Sequence, residues 1–333
     1  MLYKQLNYHA KQTYKALSDN YNSIVKVYPQ IIDHLTDNKL YYYVGLKDTS
    51  TLSIHSIQLL LSSDIFLLHT IDKASPNGRA IDPFLMNPIT TFPMTGSSSG
   101  TAMNVFLGIN DLGIGTDGGG SVLAPAMALN LYGFISPLLP LQKNVQNKQS
   151  TDGITFTPSA GLIAKDFSVI NKTLPILQLL NKDTHSLFNP LNILEINNSL
   201  DDIVLPHSMS ITNTELDTLS SRSQLIPWLE QQLKHYDYII SKEGPIDFHG
   251  LGDSIIGHFD TCTHTFQQQG NKGLIRVVNM VNATALSIPS NKLAVGWVII
   301  TQSNPNKIND LIELVKCFPV HKDELIDSYF GIS

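Results

Sequence analysis

The chain has 333 residues, 42% hydrophobic and 15% charged, with a formal net charge of −6. That composition supplies a large core and excludes a disordered chain. Its 22 basic residues form no cluster, which argues against nucleic acid or an anionic membrane as the main partner. No apolar run reaches the roughly 18 residues that span a bilayer, and residues 1–12 lack the apolar stretch of a signal peptide. Cys262 and Cys317 are too few for a disulfide framework. A cytoplasmic location is the expectation.

In chain order, Leu6, Ala10, Tyr14, Leu17, Tyr21, Ile24 and Tyr28 recur at helical spacing, and Pro29 stops the pattern. This predicts one long amphipathic packing helix. Residues 40–46 (LYYYVGL) read as a strand that delivers Lys47-Asp48 at its end. Residues 54–61 read as a helix and 65–70 as a buried strand. A polar loop with Pro76, Gly78, Pro83 and Pro88 follows. Further on, residues 167–180 read as a helix, and 181–205 as irregular apart from a strand-like 194–196. Residues 212–235 read as helical, with Pro227 restarting a second helix. Residues 238–240 are a strand, 247–270 loop-rich, 273–283 a helix, 285–288 and 294–301 strands, and 306–317 a closing helix. Alternating strands and helices predict an α/β fold with helices on both faces of the sheet.

Chemistry concentrates in residues 92–137, which hold two small-residue clusters, GSSSG at 96–100 and GTDGGGS at 115–121. Each precedes an apolar, helix-like run. Glycines allow φ > 0 and close backbone approach. A serine at a helix start meets free N–H donors and a positive dipole end, which suits a nucleophile whose product is an oxyanion. Taken alone, such clusters are more often turns than active sites.

The order of motifs is more specific. GSSSG followed by GTDGGGSVLAPA resembles the GSSxG and TDxGGSxRxPA elements of the amidase signature family of serine hydrolases. Gly133, twelve residues after Ser121, falls where that family has a glycine. Residues 44–48 (VGLKD) resemble the strand that ends in the family's Lys-Asp. Asn87-Pro88 matches an Asn-Pro before the serine element, and residues 159–165 (SAGLIAK) resemble its GP(I/M)AR segment. Residues 236–240 (YDYII), 285–289 (ALSIP) and 294–297 (AVGW) match the remaining landmarks in order.

The resemblance implies a single amidase-like domain over 1–333, with 1–39 an N-terminal helical segment. It implies one large mixed twisted β-sheet covered by helices on both faces. It implies amide hydrolysis without metal or cofactor, on a small-molecule amide substrate, and it allows for a homodimer or for a separate partner chain. Residue by residue, Ser121 matches the acyl-accepting nucleophile, Ser97 the bridging serine on a cis peptide bond, and Lys47 the general base. Gly118, Gly119 and Gly120, with Ser121, match the oxyanion hole. An amidotransferase-type subunit, or a catalytically weak binding relative, is the alternative role.

The chain also departs from the family. Leu123 stands where the family has arginine, so Asp117 is expected to lack a charged partner. Gly118 replaces a larger residue, so the loop is expected to be looser. The 50 residues between Lys47 and Ser97 are fewer than usual, so trimming around the substrate channel is expected.

Other constellations are weaker. His258, Asp260, Cys262 and His264 alternate, so a strand there would present metal ligands on one face. No GxSxG elbow supports a Ser-His-Asp hydrolase. Gly113-x-Gly115 lacks the third glycine of a dinucleotide loop.

Overall fold

The computed structural model describes residues 2–36, 39–142, 145–180, 191–200 and 203–332. Residues 181–190, part of the stretch expected to be irregular, lie outside these. Among the described residues, eleven strands form one sheet: Ile24–Val27 (β1), Tyr42–Lys47 (β2), Phe66–Asp72 (β3), Leu112–Asp117 (β4), Tyr132–Ser136 (β5), Ser159–Ala164 (β6), Leu191–Ile196 (β7), Met209–Thr214 (β8), Tyr238–Glu243 (β9), Thr284–Pro289 (β10) and Gly296–Thr301 (β11). Their spatial order is β1-β3-β2-β4-β6-β5-β10-β11-β9-β7-β8. β2 runs parallel to β3 and β4, and β7 runs parallel to β8 and β9. The strands between these two groups pair antiparallel.

Both faces of the sheet are covered, because successive side chains on a strand point to opposite sides. Val44, Leu46, Phe134, Ile240 and Ile299 face one core, with the helices Phe167–Ile176 and Pro305–Val315 packed over them. Ile135, Ile163, Ile239, Val298 and Ile300 face the other. That second layer includes the helices Ser99–Phe106 (α2), Leu123–Ala128 (α3) and Arg222–Gln232. The first helix, Leu2–Ser18 (α1), contacts β1 and packs its His9 ring on Tyr43 of β2. This is the mixed sheet that the resemblance implies, covered on both faces as the alternation of elements predicts.

Several local expectations change. The first helix ends at Ser18, not at Tyr28, and Ile24 belongs to β1. Asp19 and Asn22 adopt positive φ (34° and 54°) and turn the chain. The Asp19 carboxylate accepts the Ser23 and Ile24 N–H groups at 2.8 and 3.2 Å and fixes that turn. Within 54–61 only Gln58–Leu61 is α-helical. Residues 209–214 form the edge strand β8 rather than helix, and Arg222–Gln232 runs through Pro227 without restarting. Residues 273–283 form two short 3-10 turns, because the buried Glu243 carboxylate takes the Leu274 and Ile275 N–H groups at 2.8 and 3.4 Å.

Candidate active site

Lys47 ends β2, and Thr116-Asp117 end the neighbouring parallel strand β4. Alternation sends Tyr43, Gly45 and Lys47 to the face that carries α2 and α3. There the two glycine-serine clusters meet. A Cβ on Gly115 would lie 2.5 Å from Ser98 Oγ, and one on Gly96 would lie 2.5 Å from the Pro125 ring. Gly96 also sits at φ +72°, which favours glycine. With both side chains absent the loops close on one another. The Ser98 N–H then donates to the Ser121 carbonyl at 3.2 Å.

Lys47 is buried, and its Nζ lies 2.7 Å from Ser97 Oγ and 2.9 Å from Thr116 Oγ1. Burial lowers its pKa from 10.5 to about 7, with Asp117 pulling it up and Lys148 pushing it further down. Ser97 and Lys47 are therefore joined directly. Ser121 is brought alongside through its backbone, but among the described residues no hydrogen bond links Ser121 Oγ to Ser97 or Lys47. The cis bond expected at Ser97 is not formed: among the described residues the cis peptide is Gly244–Pro245.

Asp117 does not lack partners. Its carboxylate accepts the N–H groups of Gly120 (2.8 Å), Val122 (2.6 Å) and Leu123 (3.4 Å). Burial raises its pKa, while these three donors and Lys47 oppose the rise. Backbone donors thus do what the missing arginine was expected to do. Leu123 is fully buried in the second core, against Gly133. The same bonds alter one expectation, since the Gly120 N–H points to Asp117 rather than to a ligand. Among the described residues the N–H groups of Gly118, Gly119 and Ser121 have no partner. Gly118 is not simply a looser residue either. A Cβ there would overlap Cε2 of Phe156, whose ring occupies the space of the missing side chain.

A cavity of about 560 Å³ is lined in part by Asp152, Arg222, His258, Gln267 and Arg276. A Cβ on Gly119 would lie 3.5 Å from Arg222 Nη1 and 3.4 Å from the Arg276 carbonyl. Arg222 forks onto Asp152 at 2.8 and 2.7 Å. Arg276 donates to the Thr218 and Ser220 carbonyls at 2.9 Å each. No sequence motif marks these residues, which come from well-separated segments of the chain. Thr116, directly beside Asp117, is a further contact of Lys47 that the motif does not reveal.

The alternating His258, Asp260, Cys262 and His264 do not lie on a strand. They fall in a 3-10 turn, at a helix N-cap and in the helix Thr261–Gln268. Side chains two apart on a helix point in different directions, and the described residues hold no cluster of three or more His, Cys, Asp or Glu that could bind a metal. Among the described residues no helix is long and apolar enough to cross a membrane.

Residues 86–175 match the model of the Amidase family. Among solved structures, allophanate hydrolase from Kluyveromyces lactis aligns with TM-score 0.61 at 14% identity, over 96% of this chain and 71% of that one. One chain of the glutamyl-tRNA(Gln) amidotransferase from Thermotoga maritima gives 0.59 at 14%, over 92% and 89%. A bacterial aryl acylamidase of the amidase signature family gives 0.60 at 13%, over 98% and 94%. No curated protein matches the chain. The resemblance to the amidase signature family and the expected fold are both borne out.

Proposed function

We propose, from a chain with the amidase signature fold and an Amidase-family segment, that this protein hydrolyses the C–N bond of a small carboxamide or acylated amine. The observation that carries the reading is the buried Lys47, held on Ser97 Oγ at 2.7 Å with its pKa lowered to about 7. A lysine can take a proton only when neutral, and burial supplies that form at ordinary pH.

In the proposed cycle Ser121 Oγ attacks the amide carbon. Its proton passes to Ser97, and the Ser97 proton passes to Lys47; a hydroxyl both donates and accepts. The free N–H groups of Gly118, Gly119 and Ser121 hold the oxyanion, where one donor is typically worth about 2.7–4 kcal/mol. Lys47 then returns the proton through Ser97 to the leaving nitrogen. Water attacks the acyl-enzyme along the same relay and releases the acid. The Ser97–Ser121 contact is expected to close around bound substrate, as catalytic hydrogen bonds commonly do.

Reaction with a fluorophosphonate, followed by intact mass and peptide mapping, tests the reading. Labelling of Ser121 in wild type, its loss in S121A and its strong reduction in K47A are expected. An unlabelled but folded wild-type protein removes the hydrolase reading. Copurification with a second chain, without hydrolysis alone, would instead mark an amidotransferase-type subunit.

A further inference from the structure

Helix α1 is amphipathic, yet it lies with its polar side inward. His9, Gln12 and Thr13 are buried together with Ala16. The Gln12 amide oxygen lies 2.7 Å from His9 Nδ1, and its amide nitrogen donates to Asp111 Oδ1 at 3.3 Å. Asp111 also takes the Tyr8 hydroxyl at 2.8 Å and the Tyr43 N–H at 2.7 Å. The His9 ring packs on Tyr43, with centroids 4.3 Å apart. These polar contacts fix the rotation of the helix.

The apolar stripe consequently faces out. Tyr3 is 81% exposed, Tyr14 73%, Leu17 61% and Leu6 40%, and Ala10 between them is exposed as well. At about 100° per residue, these five positions share an arc of about 80°. An outward row of large apolar side chains marks an interaction surface.

The spacing of the stripe identifies its partner. Positions 3, 6, 10, 14 and 17 are separated by 3, 4, 4 and 3 residues, a sequence that reads the same from either end and centres on Ala10. A two-fold contact between identical surfaces pairs each residue with its mirror position. An antiparallel crossing at position 10 places Tyr3 of one copy against Leu17 of the other, and Leu6 against Tyr14. Each aromatic ring thus meets a leucine, and the small Ala10 at the crossing allows close approach. The 3-4 spacing is that of a helix-pairing seam. In this register Lys4, Lys11 and Lys15 fall opposite positions 16, 9 and 5, so no lysine faces another.

We propose that α1 is a self-association surface, through which two copies of this chain pair antiparallel about Ala10. One helix pair buries little, so the contact belongs with small, reversible interfaces below about 1,200 Å².

The test is sedimentation equilibrium of the full chain from low to high micromolar concentration. A monomer–dimer equilibrium is expected, with the double variant Y14E/L17E raising the dissociation constant at least tenfold while the thermal melt of the dilute protein stays unchanged. Mild oxidation of cysteine variants in a C262S/C317S background checks the register independently. A10C should cross-link to itself, L6C alone should not, and L6C mixed with Y14C should. A chain that stays monomeric throughout overturns the proposal. So does a dimer indifferent to Y14E/L17E, or cross-linking of L6C to itself in preference to Y14C. Binding to phosphatidylserine vesicles lost in Y14E/L17E, without self-association, would overturn it in favour of a lipid surface.

Discussion

Lys47 Nζ lies 2.7 Å from Ser97 Oγ, although fifty residues separate them and one sits on a strand end, the other in a loop. If this contact is the proton relay, Lys47→Met, which keeps length and removes basicity, should lower kcat by about 10²–10⁴-fold, the usual range for a general base. The fold should persist, because a buried amine gives way to an apolar chain. Steady-state kinetics beside circular dichroism would decide; near-normal kcat in a folded variant excludes Lys47 as the base.

The same amine predicts a pH profile. With its pKa lowered to about 7, Lys47 is charged below that value and neutral above it. Activity should therefore rise through about pH 7 and level off on the alkaline side. The linkage has a definite sign. The folded pKa lies below the unfolded value of 10.5, so the unfolded chain binds the extra proton between the two. This group's contribution to stability should therefore increase as pH rises from about 7 towards 10.5. A kcat/KM profile that falls with pH contradicts the assignment.

Asp117 accepts three backbone N–H groups at the start of α3. Asp117→Asn turns one accepting oxygen into a donor that faces those N–H groups. Hydrogen bonds to a charged group are worth about 1.5–3 kcal/mol, so a loss of at least about 2 kcal/mol is expected in urea unfolding. Fluorophosphonate labelling of Ser121 should slow as well, because the loop that carries it loses its anchor.

Gly118 and Phe156 form a matched pair, one lacking the side chain and the other filling its place. Gly118→Thr should clash with the ring and lower kcat/KM by tenfold or more. Adding Phe156→Ala should restore much of that loss if the clash is the cause. A double variant no better than G118T would instead point to the backbone freedom of glycine at 118.

Gly45 gives a control within the strand that carries Lys47. A Cβ there would overlap both Asn110 Nδ2 and Asp72 Oδ2. Gly45→Ala should destabilise by about 1–3 kcal/mol, as overpacking generally does. Thermal unfolding measures it directly.

Local patterns and motif order carried much of this protein. The apolar runs 40–46, 238–240 and 285–288 read as strands, and each lies wholly or largely in a strand of the sheet that is buried along nearly its whole length. The order of Lys47, Ser97 and Ser121 amid their glycine motifs pointed to one relay and to one fold. Folding in three dimensions settled the cases in which a pattern had more than one way to be satisfied. Helical spacing says which residues of α1 share a face, but not which face turns inward; Asp111, Tyr43 and Gln12 decided that by polar bonds between distant segments. The loss of arginine at 123 read as a missing partner, because backbone N–H groups are invisible in a sequence. The Arg222–Asp152 and Arg276 wall beside Gly119 exists only after folding, since periodicity carries no information about contacts between segments so far apart.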